Sequence, residues 1–324
     1  MISAGPPQSR PRAEGEPAIR RSRALLERML LALVVAAAIL GWAVPGPARS
    51  LDRHQAINAV LAVLVFASAI TVPAGAAGRL RALAPRLSVV VITTAVALPA
   101  AAFALSRLVG PGPLRDGVLA VGVAPAEVAS VAITGIAGGE AAAAAVLLVA
   151  STLICVAAAG PILSAAGGAG VPATRVLATL ALVVGLPLVA GLLLSRLTAA
   201  GGRPGVSGGR AGDGFQALAI AAVTILVWLV SGQVRLSAAY AVLVAVLVAL
   251  IVTSAAIGLL LARGLPRPAR TAVLLSVSMR DFAVASGIAV AAFGPAAAAP
   301  LGIYGVLVMA WGALAARLAA RPPP

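Results

Sequence analysis

Apolar and polar positions along this chain neither alternate in twos nor form a single stripe every three to four residues. They gather into long runs that are apolar on every side, parted by short polar stretches, which is the pattern of helices surrounded by lipid or by other apolar helices. The runs cover roughly 25–44, 55–75, 87–109, 114–138, 141–166, 174–198, 215–233, 236–262, 269–293 and 297–319. Each is about the 20 residues that cross a hydrocarbon core, so the pattern predicts ten transmembrane helices. A membrane β-barrel needs short alternating strands, and these runs do not alternate. Residues 1–23, rich in Pro, Gly, Arg and Glu, read as a disordered cytoplasmic tail. The first run has arginines before it and GPARS after it, as signal peptides do; it is kept as a span because a repeat of five spans requires it.

Two runs carry charge at their centres. Within 117–139 the only charge is Glu127, which follows Pro125 in APAEVAS. Between Arg270 and Pro295 the only charges are Arg280 and Asp281, inside SVSMRDFAVASG. A charge at mid-membrane costs about 2.5–3.5 kcal/mol on insertion scales, so three unpaired ones cost about 8–10 kcal/mol. That rivals the roughly 5–15 kcal/mol stability of a whole domain, so these side chains need partners or water. Such residues point to function by default. Pro125 removes a backbone donor and disfavours helix before it, which predicts a helix break there. The second run has no proline at the matching site, and its break is expected at SMRDF. Freed backbone groups at this depth are tolerated only where they line a cavity in the protein, and there they hold ions or polar solutes.

The two halves resemble each other. With a shift of 155 positions, 114–144 lies over 269–299, matching Arg115 to Arg270, Val118 to Val273, Leu119 to Leu274 and Gly139 to Gly294. Each segment is the fourth in its set of five spans. Because five is odd, the halves enter the membrane in opposite directions, as in the inverted repeats of secondary transporters. The fold expected is an all-α membrane protein of ten transmembrane helices in two inverted five-helix repeats, with discontinuous fourth and ninth helices that cross. The first repeat occupies 24–166; 167–213 holds the sixth span and a cytoplasmic linker; 214–324 completes the second repeat. At the crossing Glu127 is expected to meet Arg280, with Asp281 completing a cluster of one net negative charge. That suits a proton, a cation, or a substrate bonded to Arg280 while Asp281 is protonated. The alternative is a fixed Glu127–Arg280 pair that only locks the spans together. Ser130 and Thr134 either line the same cavity as Glu127 or bond back to their own helix, and Ser276 and Ser278 have the same two options.

Composition and charge sharpen this picture. Of 324 residues, 61% are apolar and 10% charged, and every basic residue is arginine. A net charge of +15 on a soluble protein suggests nucleic acid as partner. Here the arginines lie in the connections, and topology explains them without nucleic acid. With the N-terminus inside, 17 arginines fall on the inner side and 6 on the outer, leaving Arg280. This bias predicts a multi-pass protein of the cytoplasmic membrane with both termini in the cytoplasm. Cys155 is the only cysteine, excludes an internal disulfide, and is expected as a small buried hydrophobe. His54, beside Arg53 at a span's start, is expected at the interface. No His, Cys and carboxylate cluster has metal-ligand spacing, and no phosphate loop with lysine, serine elbow or HExxH motif occurs. The chain is therefore read as no enzyme and without cofactor, with Na⁺ or H⁺ as the coupling ion. Oligomeric state is not legible.

Several stretches resemble the bile acid:sodium symporter family. APAEVASVAITGIAGGEAAAAAVLLVASTL is similar to that family's proline-and-ASN segment, and LALVVGLPLVAGLLLSRL to its sixth span. RTAVLLSVSMRDFAVASGIAVAAFGPAAAAPLGIYGVL is similar to its ninth span and the segment after it. LPAAAFALSRL resembles the third span, and the likeness covers roughly 30–320. It implies a panel domain, a core domain with crossing broken helices, and alternating access for organic anions coupled to sodium. This chain departs where the family binds sodium. The asparagine of the motif is Val131, though Ser130 is kept. The family's third-span glutamine falls on Thr94, its ninth-span glutamate on Ser276, and the next glutamine and asparagine on Arg280 and Asp281. Its fifth-span serine and threonine fall on Ala144 and Leu148. A fixed arginine at a cation site repels Na⁺, so Arg280 is read as taking the ion's role. The leading functional reading is a secondary transporter of a small organic anion, with Arg280 contacting substrate or neutralising Glu127. A cation/proton antiporter of related fold, and a non-transporting membrane receptor or scaffold, are the alternatives. The arsenite efflux permeases share the architecture but place a reactive cysteine in the fourth span, whereas Cys155 lies in the fifth.

Overall fold

The computed structural model describes residues 32–52, 56–70, 80–167, 171–200, 210–234 and 238–319; the tail 1–23, His54 and most of the linker after the sixth span lie outside them. Among the described residues there is no strand. The helices are α1 (Ala32–Ala43), α2 (Pro45–Asp52), α3 (Ala56–Ile70), α4 (Ala84–Ser106), α5 (Pro113–Val123), α6 (Ala129–Ile136) and α7 (Ala141–Gly167). They continue with α8 (Ala173–Ala200), α9 (Arg210–Ser231), α10 (Ala239–Leu261), α11 (Arg267–Ser278), α12 (Phe282–Phe293) and α13 (Ala299–Ala319). Every predicted run contains helix. Six helices among the described residues are long and apolar enough to cross a membrane: α4, α7, α8, the Gly214–Ser231 part of α9, α10, and α13 with the short turn before it.

The other four runs differ from an unbroken span for local reasons. Helix α1 turns by 93° into α2 just before Pro45. That proline cannot continue the helical hydrogen bonding of the preceding turn. Arg49 Nε on α2 then donates to the Gly232 carbonyl at the end of α9, 2.9 Å away. Helix α3 has 15 described residues. The fourth run is divided into α5 and α6, and the ninth into α11 and α12. In the fourth, Ala124 before Pro125 is extended, with φ −61° and ψ 153°. The clash with the proline ring dictates this conformation. In the ninth, Met279 is extended and Asp281 caps α12, its carboxylate accepting from the Val284 amide at 2.8 Å. A side-chain cap of this kind satisfies an amide of the first turn, so one helix stops and the next starts without proline.

Two layers frame these breaks. Helices α8 and α9 each pack on α3 on one side, and Gly191 of α8 sits so close to α3 that a side chain there would meet Ala69 and the Phe66 carbonyl at 2.7 and 2.8 Å. Helices α4, α7 and α10 pack around α5, α6 and α11 on the other side, with α13 closing against α6, α11 and α12. Helix α8 contains a π turn over Ala181–Gly185, where the Leu186 amide reaches back to the Ala181 carbonyl. It stands immediately before Pro187, whose missing N–H disrupts the regular pattern.

Candidate functional site

The two breaks meet. Ala126 and Arg280 face each other as an isolated antiparallel bridge. The Glu127 amide donates to the Met279 carbonyl at 2.8 Å, and the Asp281 amide donates to the Pro125 carbonyl at 2.9 Å. These positions fix the internal register. Ala126 and Arg280 are 154 residues apart, and so are Glu127 and Asp281. Shifting Glu127 N–H···O Met279 by that amount gives Asp281 N–H···O Pro125, so the two bonds are images of one another. The 155-residue alignment expected from sequence is therefore one residue out at the crossing, because runs of alanine match equally well in neighbouring registers.

The two amides between these bonds are also satisfied as a pair. The Ala126 amide donates to Ser151 Oγ on α7 at 3.1 Å, and the Arg280 amide donates to the Tyr304 hydroxyl on α13 at 3.3 Å. Tyr304 is 1% exposed. The Glu127 carboxylate accepts from the Phe282 amide at the start of α12 at 3.3 Å. Asp281 caps its own helix and also faces the Val128 amide ahead of α6. Each carboxylate therefore sits at two half-helix N-termini, where freed N–H groups and the helix dipole favour negative charge. The Arg280 guanidinium takes the opposite kind of end: its Nη2 donates to the Ala124 carbonyl at the C-terminus of α5.

This arrangement corrects the expected Glu127–Arg280 pair. Among the described residues no ion pair joins them; the backbones are neighbours, but the side chains leave on opposite sides of the crossing. Glu127 lines a cavity of about 110 Å³ with Val34, Leu64, Ser68, Gln216, Ala219 and Met309, between α1, α3 and α9 and the crossing. Asp281 lines a smaller one of about 20 Å³ against α3, α7 and α8. Arg280 instead reaches a cleft of about 20 Å³ between α4, α5 and α7, with Thr94, Gly122, Ser151 and Cys155. The reason is the location of the free carbonyl: Ala124 points to the α4 and α7 side, and a buried guanidinium follows its acceptor.

The hydroxyls sort differently from expectation. Thr94 lines the Arg280 cleft and bonds back to Val90 and Val91 on its own helix, at 2.8 and 3.1 Å. Ser278 bonds back to Leu274 at 2.7 Å and accepts from Trp311 Nε1 at 2.8 Å. Ser130 and Thr134 are fully buried yet neither bonds back nor lines the Glu127 cavity; with Ser276 they are unpartnered hydroxyls on α6 and α11, which pack together. Cys155 is buried, as expected of a small hydrophobe. Sequence reasoning missed Ser151 and Tyr304. A serine in an apolar run gives little signal, but Tyr304 is one of only two tyrosines and lies mid-span, where its hydroxyl must find a partner. Among the described residues no group of three His, Cys, Asp or Glu is arranged to hold a metal.

Long apolar helices, two of them broken and joined through backbone bonds, are the architecture of a multi-pass α-helical membrane protein. The model of the Sodium Bile acid symporter family matches residues 58–201, which bears out the resemblance read from the motifs within that stretch. Glu127 lies inside the matched stretch, and Arg280 and Asp281 lie beyond it. No curated protein matches the chain.

Proposed function

We propose that this chain is a secondary active transporter that moves a small organic ion across the cytoplasmic membrane by alternating access. In this reading it has ten spans in two inverted five-helix repeats, 24–166 and 167–324, with both termini in the cytoplasm. The observation that carries it is the crossing itself, where equivalent positions of the two halves exchange Glu127 N–H···O Met279 and Asp281 N–H···O Pro125. That two-fold relation is what an inverted repeat produces, and it puts polar groups where a transporter binds its cargo.

The same geometry bears on coupling. Half-helix C-termini at this depth hold dissolved cations in many transporters. Here the Ala124 carbonyl is bonded by Arg280, which supports transport without sodium. It also bears on the sign of the cargo. The resemblance implies an organic anion, which needs a positive group at the binding crevice. The described residues lining the Glu127 cavity offer a carboxylate, an amide and a serine, and no cation. This observation favours the cation/proton antiporter reading.

The test is proteoliposomes loaded with a pH-sensitive dye, under imposed proton or sodium gradients, with organic cations or anions added outside. Solute-dependent proton movement without sodium is expected, and it should vanish in Arg280→Ala. Movement that requires sodium would overturn the coupling, and wild-type movement in Arg280→Ala would overturn the role of the crossing.

A further inference from the structure

We infer that the Glu127 cavity is the binding site of a small organic monocation with an apolar body, such as an alkylated ammonium. The inference rests on the transporter reading and names its substrate class. It begins from a count of charge over the crossing. Arg280 donates to the Ala124 carbonyl at the C-terminal end of α5, and the breaks also free the C-terminal end of α11, each end worth about half a negative charge. The guanidinium and these two ends balance. The two carboxylates, Glu127 towards α1, α3 and α9 and Asp281 towards α3, α7 and α8, meet the N-terminal ends of α6 and α12, each worth about half a positive charge. Together the carboxylates are left about one positive charge short. Both carboxylates are buried, at 3% and 1% exposure, so water does not make up the difference cheaply.

The cavity beside Glu127 has the shape and lining to supply it. Its wall is mostly apolar: Val34, Leu64, Ala219, Ile220, Val223 and Met309. Glu127 and Gln216 provide convergent polar groups, the usual composition of a small-ligand site. Its volume of about 110 Å³ is somewhat below the roughly 150 Å³ of a cavity known to take benzene, which sets the ligand's buried part at a few carbon atoms. An inorganic cation would find one carboxylate, one amide and one hydroxyl among apolar side chains, short of a full shell of oxygens. An organic anion would meet Glu127 head on. An alkylammonium satisfies both features, placing its charge at Glu127 and its carbons against α1, α9 and α13. A proton on Glu127 neutralises the same charge, so proton and organic cation are alternative occupants, the condition for exchanging one for the other.

The experiment uses the full chain, purified in detergent, with tetramethylammonium chloride as probe and potassium methanesulfonate and sodium chloride as controls. Tetramethylammonium is expected to raise the unfolding temperature in a saturable way, and the two controls are not. Glu127→Gln should weaken the apparent affinity by about thirtyfold or more, since it removes one partner of a buried charge pair. Ala219→Trp, which fills the cavity and leaves the carboxylate in place, should abolish binding as well, so the result does not hang on one variant's folding. Stabilisation by methanesulfonate and not by the cation, an equal response to sodium chloride, no saturable response, or a response that survives Glu127→Gln would each overturn the inference. The two readings separate cleanly. Binding of the cation without flux in proteoliposomes would sink transport and leave this site standing, and flux of an anion would do the reverse.

Discussion

Tyr304→Phe removes one oxygen atom and leaves the ring in place. In the wild type that oxygen accepts from the Arg280 backbone amide at 3.3 Å, in a position 1% exposed. Arg280 lies in the break between α11 and α12, so its amide has no helical partner to fall back on. The loss is that of a buried donor left without an acceptor, about 1–3 kcal/mol. Ser254→Ala is the comparison. Its hydroxyl donates to the Leu250 carbonyl within α10 at 2.7 Å, and that carbonyl stays within a continuous helix. Its loss should cost about 0.6 kcal/mol or less, the average for membrane side-chain hydrogen bonds. Ser151→Ala should behave like Tyr304→Phe, because Ser151 serves the equivalent amide of Ala126 at 3.1 Å. The assay is equilibrium unfolding of the purified variants in mixed micelles with increasing denaturing detergent. If Tyr304→Phe and Ser151→Ala cost no more than Ser254→Ala, the claim that these hydroxyls complete the backbone of the crossing is wrong.

Arg280→Met should destabilise by at least about 1.5–3 kcal/mol in the same assay, through loss of a hydrogen bond from a charged donor to Ala124, and should stop flux in proteoliposomes. Asp281→Ala should cost about 1–2 kcal/mol as the cap of α12 is lost. Asp281→Asn, which can still accept from Val284, should cost much less; equal losses would show that charge and not capping matters for stability. Gly122→Ala drives a methyl into Ala102 where α5 meets α4, and should cost about 1–3 kcal/mol by overpacking, measurable as a lower melting temperature. A cysteine introduced at the exposed Pro111 should react with an impermeant maleimide in intact cells, and one at the exposed Arg263 should not; reversed labelling would place the termini outside.

The breaks were legible because Pro125 and the charges at Glu127, Arg280 and Asp281 stand out against apolar surroundings. Their meeting was legible from the match between the two charged segments and the inverted repeat it suggested. The direction of Arg280 was not, because it depends on which side of the crossing the Ala124 carbonyl emerges, and no sequence spacing encodes that. The register was off by one since alanine fixes no phase, and only the paired amides of Glu127 and Asp281 reveal it. The hydroxyls of Ser130, Thr134 and Ser276 look like ligands in sequence, but burial on α6 and α11 keeps them out of the cavity that Glu127 lines. Ser151 and Tyr304 were invisible for the opposite reason: their partners are backbone groups of distant segments, and backbone carries no letter.

The two amide bonds between the breaks have a consequence for how the molecule can move. A hydrogen bond at 2.8 Å and another at 2.9 Å rivet the middle of one half of the chain to the middle of the other. Sliding the fourth run past the ninth would strip four backbone groups at once, in surroundings without water to replace them. On the transporter reading, a displacement that opens a path to either face of the membrane carries both broken helices together, and the seam that parts runs along the cavity between Glu127 and the helices α1, α3 and α9.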